Sequence, residues 1–322
     1  MKKRYVFLLC IVVVSLIFGA AFYLQNKDDK PEEVKIEVND LNSYQDISYN
    51  GDSYSYNTNI RSILLLGIDG KEDDPLSGQS DFMALMIFDI ETNEFNCLMI
   101  PRDTMTVINV NDNNGEFVTS GVDHITLAYP YGGGTHYYGG QNSLTAVSKL
   151  LNNIPFRNYL IMPLDILRDL VKVMGETDII LQDDSLAYID EKYVKGYKYH
   201  IDEESIELFL RSRDITTDFS AGNRTDRQVI YLQYLMNKFK DIQEGRLNLS
   251  FRDLDSIFAK CESNLTNVEL SNYYNYMLEA KLNDDAFQTI PGEYQMGTHY
   301  DEFHYDVDKL LSVVIDLFYI KN

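Results

Sequence analysis

Apolar residues in this chain fall into one long block and many short ones. The long block runs from Tyr5 to Leu24 without a charge, with Lys2, Lys3 and Arg4 before it and Asp28, Asp29, Glu32 and Glu33 after it. About twenty residues of helix at ~1.5 Å each reach roughly 30 Å, the thickness of a hydrocarbon core. The basic flank predicts a cytoplasmic tip at 1–4, a single transmembrane anchor at 5–24, and the remainder of the chain outside the cell membrane. A cleaved signal peptide is the competing reading. Against it stand the length of the run and the lack of a clean Ala-x-Ala site. Residues 25–58 are polar, without helical or strand periodicity, and read as an extracellular linker. This leaves 59–322 as the folded domain.

The short blocks alternate between two periods. Ser62 to Gly67, Phe82 to Phe88 and Asn96 to Ile100 are continuous apolar runs that predict buried strands. Glu91 to Glu94 predicts a hairpin turn between the second and third, and Pro101-Arg102-Asp103 ends the third. Ser143 to Leu151 has helical spacing. Tyr159 to Met162 reads as a strand, Leu164 to Met174 as a helix, Ile179 to Leu181 as a strand and Glu203 to Leu210 as a helix. Val229, Leu232, Leu235, Met236 and Phe239 mark one face of another helix. Further helical stretches lie at Leu270 to Leu282 and Val307 to Tyr319. This alternation predicts an α/β fold, a mixed sheet covered on both faces by helices.

Composition narrows the chemistry. The chain has 322 residues and a formal net charge of -22, so no basic stripe is available for nucleic acid. Within that acidic background Arg211, Arg213, Arg224 and Arg227 crowd one segment. Planar guanidinium forks suit phosphate, while surface ion pairs with the nearby carboxylates remain the plain alternative. Asp69 follows the first strand and Asp81 opens the second. Carboxylates at adjacent strand ends can converge on a hard cation such as Mg²⁺, or serve only as a turn and a cap. Arg102 and Asp103 reach the same sheet edge if the hairpin forms. A glycine-rich loop runs through Gly132 to Gly134 and on to Gly139 and Gly140; Gly132 to Gly134, with His124, His136 and Tyr129, could cradle phosphate but lack the Walker lysine and read as a flexible rim. Of three cysteines, Cys97 and Cys261 sit in apolar patterns and are the only pair open to a disulfide once Cys10 is assigned to the anchor.

Taken in order, several of these pieces resemble the LytR-CpsA-Psr proteins of the bacterial cell envelope. The matching pieces are the anchor, Ile63-Leu-Leu-Leu-Gly67-Ile-Asp69, Ser80-Asp81 before an apolar strand, and Ile100-Pro-Arg102-Asp103-Thr104. They continue with Ile125-Thr-Leu-Ala128-Tyr129, Val147 to Leu151 leading to Tyr159, and Arg211-x-Arg213 with Asp218, Arg224, Arg227 and Gln228. The resemblance covers about 59 to 320. It implies a three-layer α/β/α sandwich with a greasy pocket for a lipid tail. It further implies a membrane-bound phosphotransferase that moves a glycopolymer (teichoic acid, capsule or similar) from a polyprenyl-pyrophosphate carrier to peptidoglycan.

In that resemblance Asp69 and Asp81 would hold Mg²⁺ or Mn²⁺. Arg102, Arg211, Arg213 and Arg224 would bind the pyrophosphate, with Asp218, Arg227 and Gln228 as further polar site residues. Asp103 is the candidate base for the acceptor hydroxyl, by position, with Asp81 as its substitute if it is not a ligand. The same residues would serve hydrolysis of a polyprenyl pyrophosphate, and a non-catalytic envelope regulator is a third reading. The chain departs from the family at Gln79, where many members carry arginine. It departs also in the longer spacing from Asp218 to Arg224 and in the sequence His124-Ile-Thr-Leu-Ala.

Overall fold

The computed structural model describes residues 46–70, 78–298 and 300–322. The predicted anchor lies outside the described residues. Among those that are described, no helix is long and apolar enough to cross a membrane. In chain order the strands are β1 (Ile47–Tyr49), β2 (Asp52–Tyr56), β3 (Ile60–Ile68), β4 (Ser80–Asp89), β5 (Glu94–Met99), β6 (Met105–Asn111), β7 (Phe117–His124), β8 (Tyr159–Pro163), β9 (Thr177–Ile180), β10 (Lys198–Ile201), β11 (Glu262–Ser263), β12 (Lys281–Thr289), β13 (Gly292–Met296), β14 (Asp301–Tyr305) and β15 (Tyr319–Lys321). The helices are α1 (His136–Leu150), α2 (Ile166–Met174), α3 (Ile206–Arg211), α4 (Ser220–Gln243), α5 (Asp255–Phe258), α6 (Asn267–Glu279) and α7 (Val307–Phe318).

Six strands make the central sheet, in the order β11-β8-β3-β4-β5-β12. β3 runs parallel to β8 and β5 parallel to β12, while the other pairings are antiparallel, so the sheet is mixed as predicted. Strand side chains alternate between faces. Leu64, Leu66, Leu85 and Ile87 therefore pack with Leu144 and Val147 of α1 and with Val314 and Phe318 of α7. Ile63, Leu65, Ala84 and Met86 pack the other way, against Met236 and Phe239 of α4 and Tyr273 and Tyr274 of α6. A smaller cluster of Ile179, Tyr199, Ile201, Phe209 and Tyr231 joins β9 and β10 to α3 and α4. Both sheet faces are buried, which is why the strands read as continuous apolar runs.

The order β3-β4-β5 is a meander, so the end of β3, the start of β4 and the end of β5 share one edge. β8, parallel to β3, ends there too. That edge collects Asp69, Asp81, Arg102 and Asp103.

Several predicted boundaries move. α1 begins at His136 rather than near Ser143, so Gly139 and Gly140 lie inside a helix and not in the glycine-rich loop. A Cβ on Gly140 would come within 2.6 Å of the Tyr159 ring, so this helix approaches β8 closely only through glycine. α4 begins at Ser220, nine residues before the apolar stripe that announced it, because its first turns carry site residues instead of core ones. The stretch from Leu270 to Leu282 is not all helix: α6 stops at Glu279 and Leu282 opens the edge strand β12. Within the predicted linker, β1 and β2 form a hairpin that pairs with β15, so ordered structure extends N-terminal of residue 59. Cys97 and Cys261 are both free; burial pushes each thiol up to about 12.

Candidate active site

The site is built from three strand termini and one helix start. The backbone N–H groups of Asp69 and Asp81 both donate to the carbonyl of Gln79, at 3.1 and 3.0 Å. The Asp69 carboxylate accepts the Gln79 N–H at 2.6 Å. One residue thus ties the backbones of both aspartates to one point at the sheet edge. Arg102, arriving from β5, donates one arm to Asp81 and the other to the Gln79 side-chain oxygen. Its Nε lies 3.4 Å from Asp103 Oδ1. Arg224, in the first turns of α4, reaches to 3.9 Å from the second Asp81 oxygen.

The charges at the site are numerically matched, but the hydrogen-bonding groups of its arginines are not. Arg224 is 5% exposed and its Nε has no hydrogen-bond partner. Burial lowers the Arg224 pKa, repulsion by Arg213 lowers it further, and Asp103 opposes the fall. Burial likewise lowers Arg102, against the pull of Asp103, and Arg224 and Arg213 add to the lowering. Buried guanidiniums that repel one another and keep an unpartnered N–H suit a further anionic acceptor. Asp103 is 7% exposed and its Oδ2 accepts nothing from the protein.

Two cavities meet at this cluster. A polar cleft of about 920 Å³ is lined by Gln79, Arg102, Asp103, Arg213 and Asp218, with Asp123, His124, Tyr300 and Asp301 farther along. A narrow pocket of about 160 Å³ opens on the other side, with Asp81, Arg211 and Gln228 among a lining of Leu65, Phe82, Leu167, Leu170, Leu232 and Leu235. Along α4 the positions Arg224, Gln228, Tyr231 and Leu235 follow helical spacing. This face passes from charged to apolar as it runs along the pocket.

The sequence-predicted residues divide. Asp69, Asp81, Arg102, Asp103 and Arg224 converge. Arg213 faces the cleft and Arg211 the apolar pocket, where it pairs with Glu207 at 2.5 Å. Asp218 lies exposed on the cleft wall, and the Gln228 amide donates to Leu210 O at 3.3 Å. Arg227 does not join the others. Its Nε donates to Phe209 O at 2.7 Å and its arms to Ser185 Oγ and Ser212 O. In this structure it braces the turn after α3 instead of facing a ligand. His124 donates to Asp301 O at 3.0 Å and His136 pairs with the Tyr129 hydroxyl, so both are held by the fold.

Asp69 and Asp81 fit a hard cation on donor chemistry: two carboxylates are the share a protein gives Mg²⁺ when phosphate oxygens complete the shell. Among the described residues no group of three such ligands exists, so the protein alone makes no closed cage. Sequence reasoning missed Tyr294 of β13, an aromatic whose spacing to the motifs carries no signal. Its hydroxyl is buried within electrostatic reach of Asp103 and Arg224.

A family model described as LytR_cpsA_psr matches residues 19–315. The polyisoprenyl-teichoic acid--peptidoglycan teichoic acid transferase TagU of Bacillus cereus is 27% identical over 235 residues, 71% of this chain and 70% of that protein. The solved structure of Bacillus subtilis TagV superposes with a TM-score of 0.61 at 21% identity, covering 81% of this chain and 96% of that one. A structure described as TagT bound to LIIa-WTA gives 0.59 at 21% identity, covering 81% and 90%. These superpositions establish the shared fold.

Proposed function

This chain belongs to the LytR-CpsA-Psr family, and on that premise we propose that it transfers a glycopolymer from a polyprenyl-pyrophosphate carrier to peptidoglycan, leaving a phosphodiester link. One observation carries the reading. Arg102 faces a polar cleft, and Asp81, which both Arg102 and Arg224 approach, faces an apolar pocket, while both arginines keep a buried Nε without an acceptor. A diphosphate with a lipid on one end and a sugar on the other matches that sequence of environments. Its charge answers the arginines, its tail enters the pocket lined by Leu167, Leu170, Leu232 and Leu235, and its glycan leaves through the cleft.

In this scheme Arg102, Arg213 and Arg224 hold the diphosphate, with Arg211 at the tail side. The acceptor hydroxyl attacks the sugar-proximal phosphorus, a new P–O bond forms, and the bond to the bridging oxygen breaks. Polyprenyl phosphate departs with the electron pair. Asp103 Oδ2, buried and unpartnered, takes the hydroxyl proton. Asp69 and Asp81 would hold Mg²⁺ or Mn²⁺, which supplies charge neutralisation at the diphosphate. Fixed cations aimed at charge that grows in the transition state are worth several kcal/mol. The domain would work on the outer side of the cell membrane, tethered by the run at 5–24.

The test is transfer from lipid-linked donor to peptidoglycan by the full chain, with Asp81→Ala and Arg102→Ala. Both variants are expected to remain folded and to lose transfer, and chelation of divalent cations is expected to stop the native protein. Undiminished transfer in both variants would sink the assignment. Free polymer phosphate as the sole product, with acceptor present, would point to hydrolysis instead.

A further inference from the structure

Polar atoms that no group in the protein satisfies gather around Arg224. Arg224 Nε, Asp103 Oδ2 and the Tyr294 hydroxyl are buried, and each lacks a hydrogen-bond partner. Arg102 Nε is a fourth; it faces Asp103 Oδ1 at 3.4 Å without the alignment of a hydrogen bond. Unpaired buried polar atoms are uncommon, and several in one place ask for a ligand.

Tyr294 packs between two aromatic rings, one tied to Asp103 and the other at the start of α4. Its ring centroid is 5.0 Å from that of Phe303, whose N–H donates to the Asp103 carbonyl at 2.8 Å. On its other side it meets Phe219 at 6.3 Å, at the start of α4. Phe219 has φ 59°, an unfavourable left-handed conformation, and its N–H is held by Asp301 Oδ2 at 3.0 Å. A Cβ on Gly222 would come within 3.3 Å of the Tyr294 ring, so glycine leaves the ring its seat two residues before Arg224. The Thr225 hydroxyl gives its own hydrogen to Ala221 O at 3.2 Å; its oxygen is close enough to pull the phenol pKa down a little, but not in hydrogen-bond alignment with it. Burial raises the Tyr294 pKa, with Asp103 adding to it, so the phenol stays protonated and is a donor.

We propose that Tyr294 is a further catalytic residue of the transfer site, donating its phenol hydrogen to a phosphate oxygen of the donor while Asp103 receives the proton of the attacking hydroxyl. This rests on the phosphotransfer reading above. The unsatisfied atoms define the complement of the ligand. Arg102, Arg224 and Tyr294 each need an acceptor oxygen, and Asp103 Oδ2 needs an O–H. A phosphate alone answers the donors and leaves Asp103 facing a like charge. A sugar hydroxyl alone answers Asp103 and leaves the two guanidinium Nε–H groups short of an acceptor. A phosphate approached by an alcohol answers all of them. The phenol keeps its proton throughout and strengthens its hydrogen bond as charge grows on the oxygen.

The experiment uses the full chain with Tyr294→Phe and Asp103→Asn. Inorganic pyrophosphate binding is followed by titration calorimetry, thermal melting is recorded, and transfer is measured from lipid-linked donor. Tyr294→Phe is expected to weaken pyrophosphate roughly 5- to 10-fold and to lower kcat more than it raises KM. Its melting temperature should hold or rise, because an unsatisfied hydroxyl has gone. Asp103→Asn is expected to bind pyrophosphate more tightly and to transfer poorly. Native affinity and native kcat in Tyr294→Phe would overturn the proposal, and so would a fall in melting temperature with native affinity, which marks a packing residue. If the native chain binds pyrophosphate but transfers nothing, the transferase reading fails. Weakened binding in Tyr294→Phe would then still uphold the contact.

Discussion

Arg224 and Arg227 stand one turn apart on the same helix and are equally buried, at 5% and 3% exposed. Their surroundings are opposite. Around Arg227 the protein supplies acceptors for the Nε and both arms, two of them the carbonyls of Phe209 and Ser212 at the end of α3. Around Arg224 it supplies one carboxylate oxygen at 3.9 Å and leaves Nε empty. The first neighbourhood is finished by folding. The second is finished only by something that arrives later. Burial alone therefore does not distinguish a structural arginine from a functional one; the census of acceptors does.

The largest effect expected from this contrast is on stability. Arg227→Ala should destabilise by roughly 3–5 kcal/mol, because it strands buried acceptors. Urea unfolding measures it, and a midpoint equal to that of Arg224→Ala would break the contrast. Next comes catalysis. Arg224→Ala should slow transfer by roughly 100-fold, about 2.7 kcal/mol, while unfolding free energy changes by less than ~1 kcal/mol, since few internal contacts are lost. A large loss of stability in that variant would put Arg224 in the same class as Arg227. The smallest effect is a gain. Tyr231 lines the apolar pocket with a buried hydroxyl that has no partner. Tyr231→Phe should raise stability by about 1 kcal/mol, and a loss would mean that the hydroxyl is satisfied after all.

Much of this was legible in the chain, and for identifiable reasons. Continuous apolar runs at Ser62 to Gly67 and Phe82 to Phe88 give buried strands because both sheet faces are covered. Once three such strands form a meander, Asp69, Asp81 and Arg102 have to share an edge. What stayed hidden depended on long-range partners. The sequence around Arg227 differs little from that around Arg224, and only the path of the chain after α3 brings Phe209 O and Ser212 O within reach. β12 hid behind a helical pattern because an edge strand buries little: only Ala286 within it is fully covered. Gly139 and Gly140 looked like loop residues because glycine signals both turns and close helix packing, and the rings they pack against, Tyr129 and Tyr159, lie outside their own helix. Tyr294 had no local signal of any kind.

Gln79 carries one more consequence. The pin that aligns Asp69 and Asp81 is its backbone, whereas the hold on Arg102 is its side chain. Alignment and charge at the mouth of the site are thus separate settings on one residue. Exchanging the amide for a cation would leave the carboxylates aimed as they are, release one arm of Arg102 and add a positive charge. Position 79 works as a tuning screw for how strongly the site grips an anion, and it can be turned without re-machining the rest.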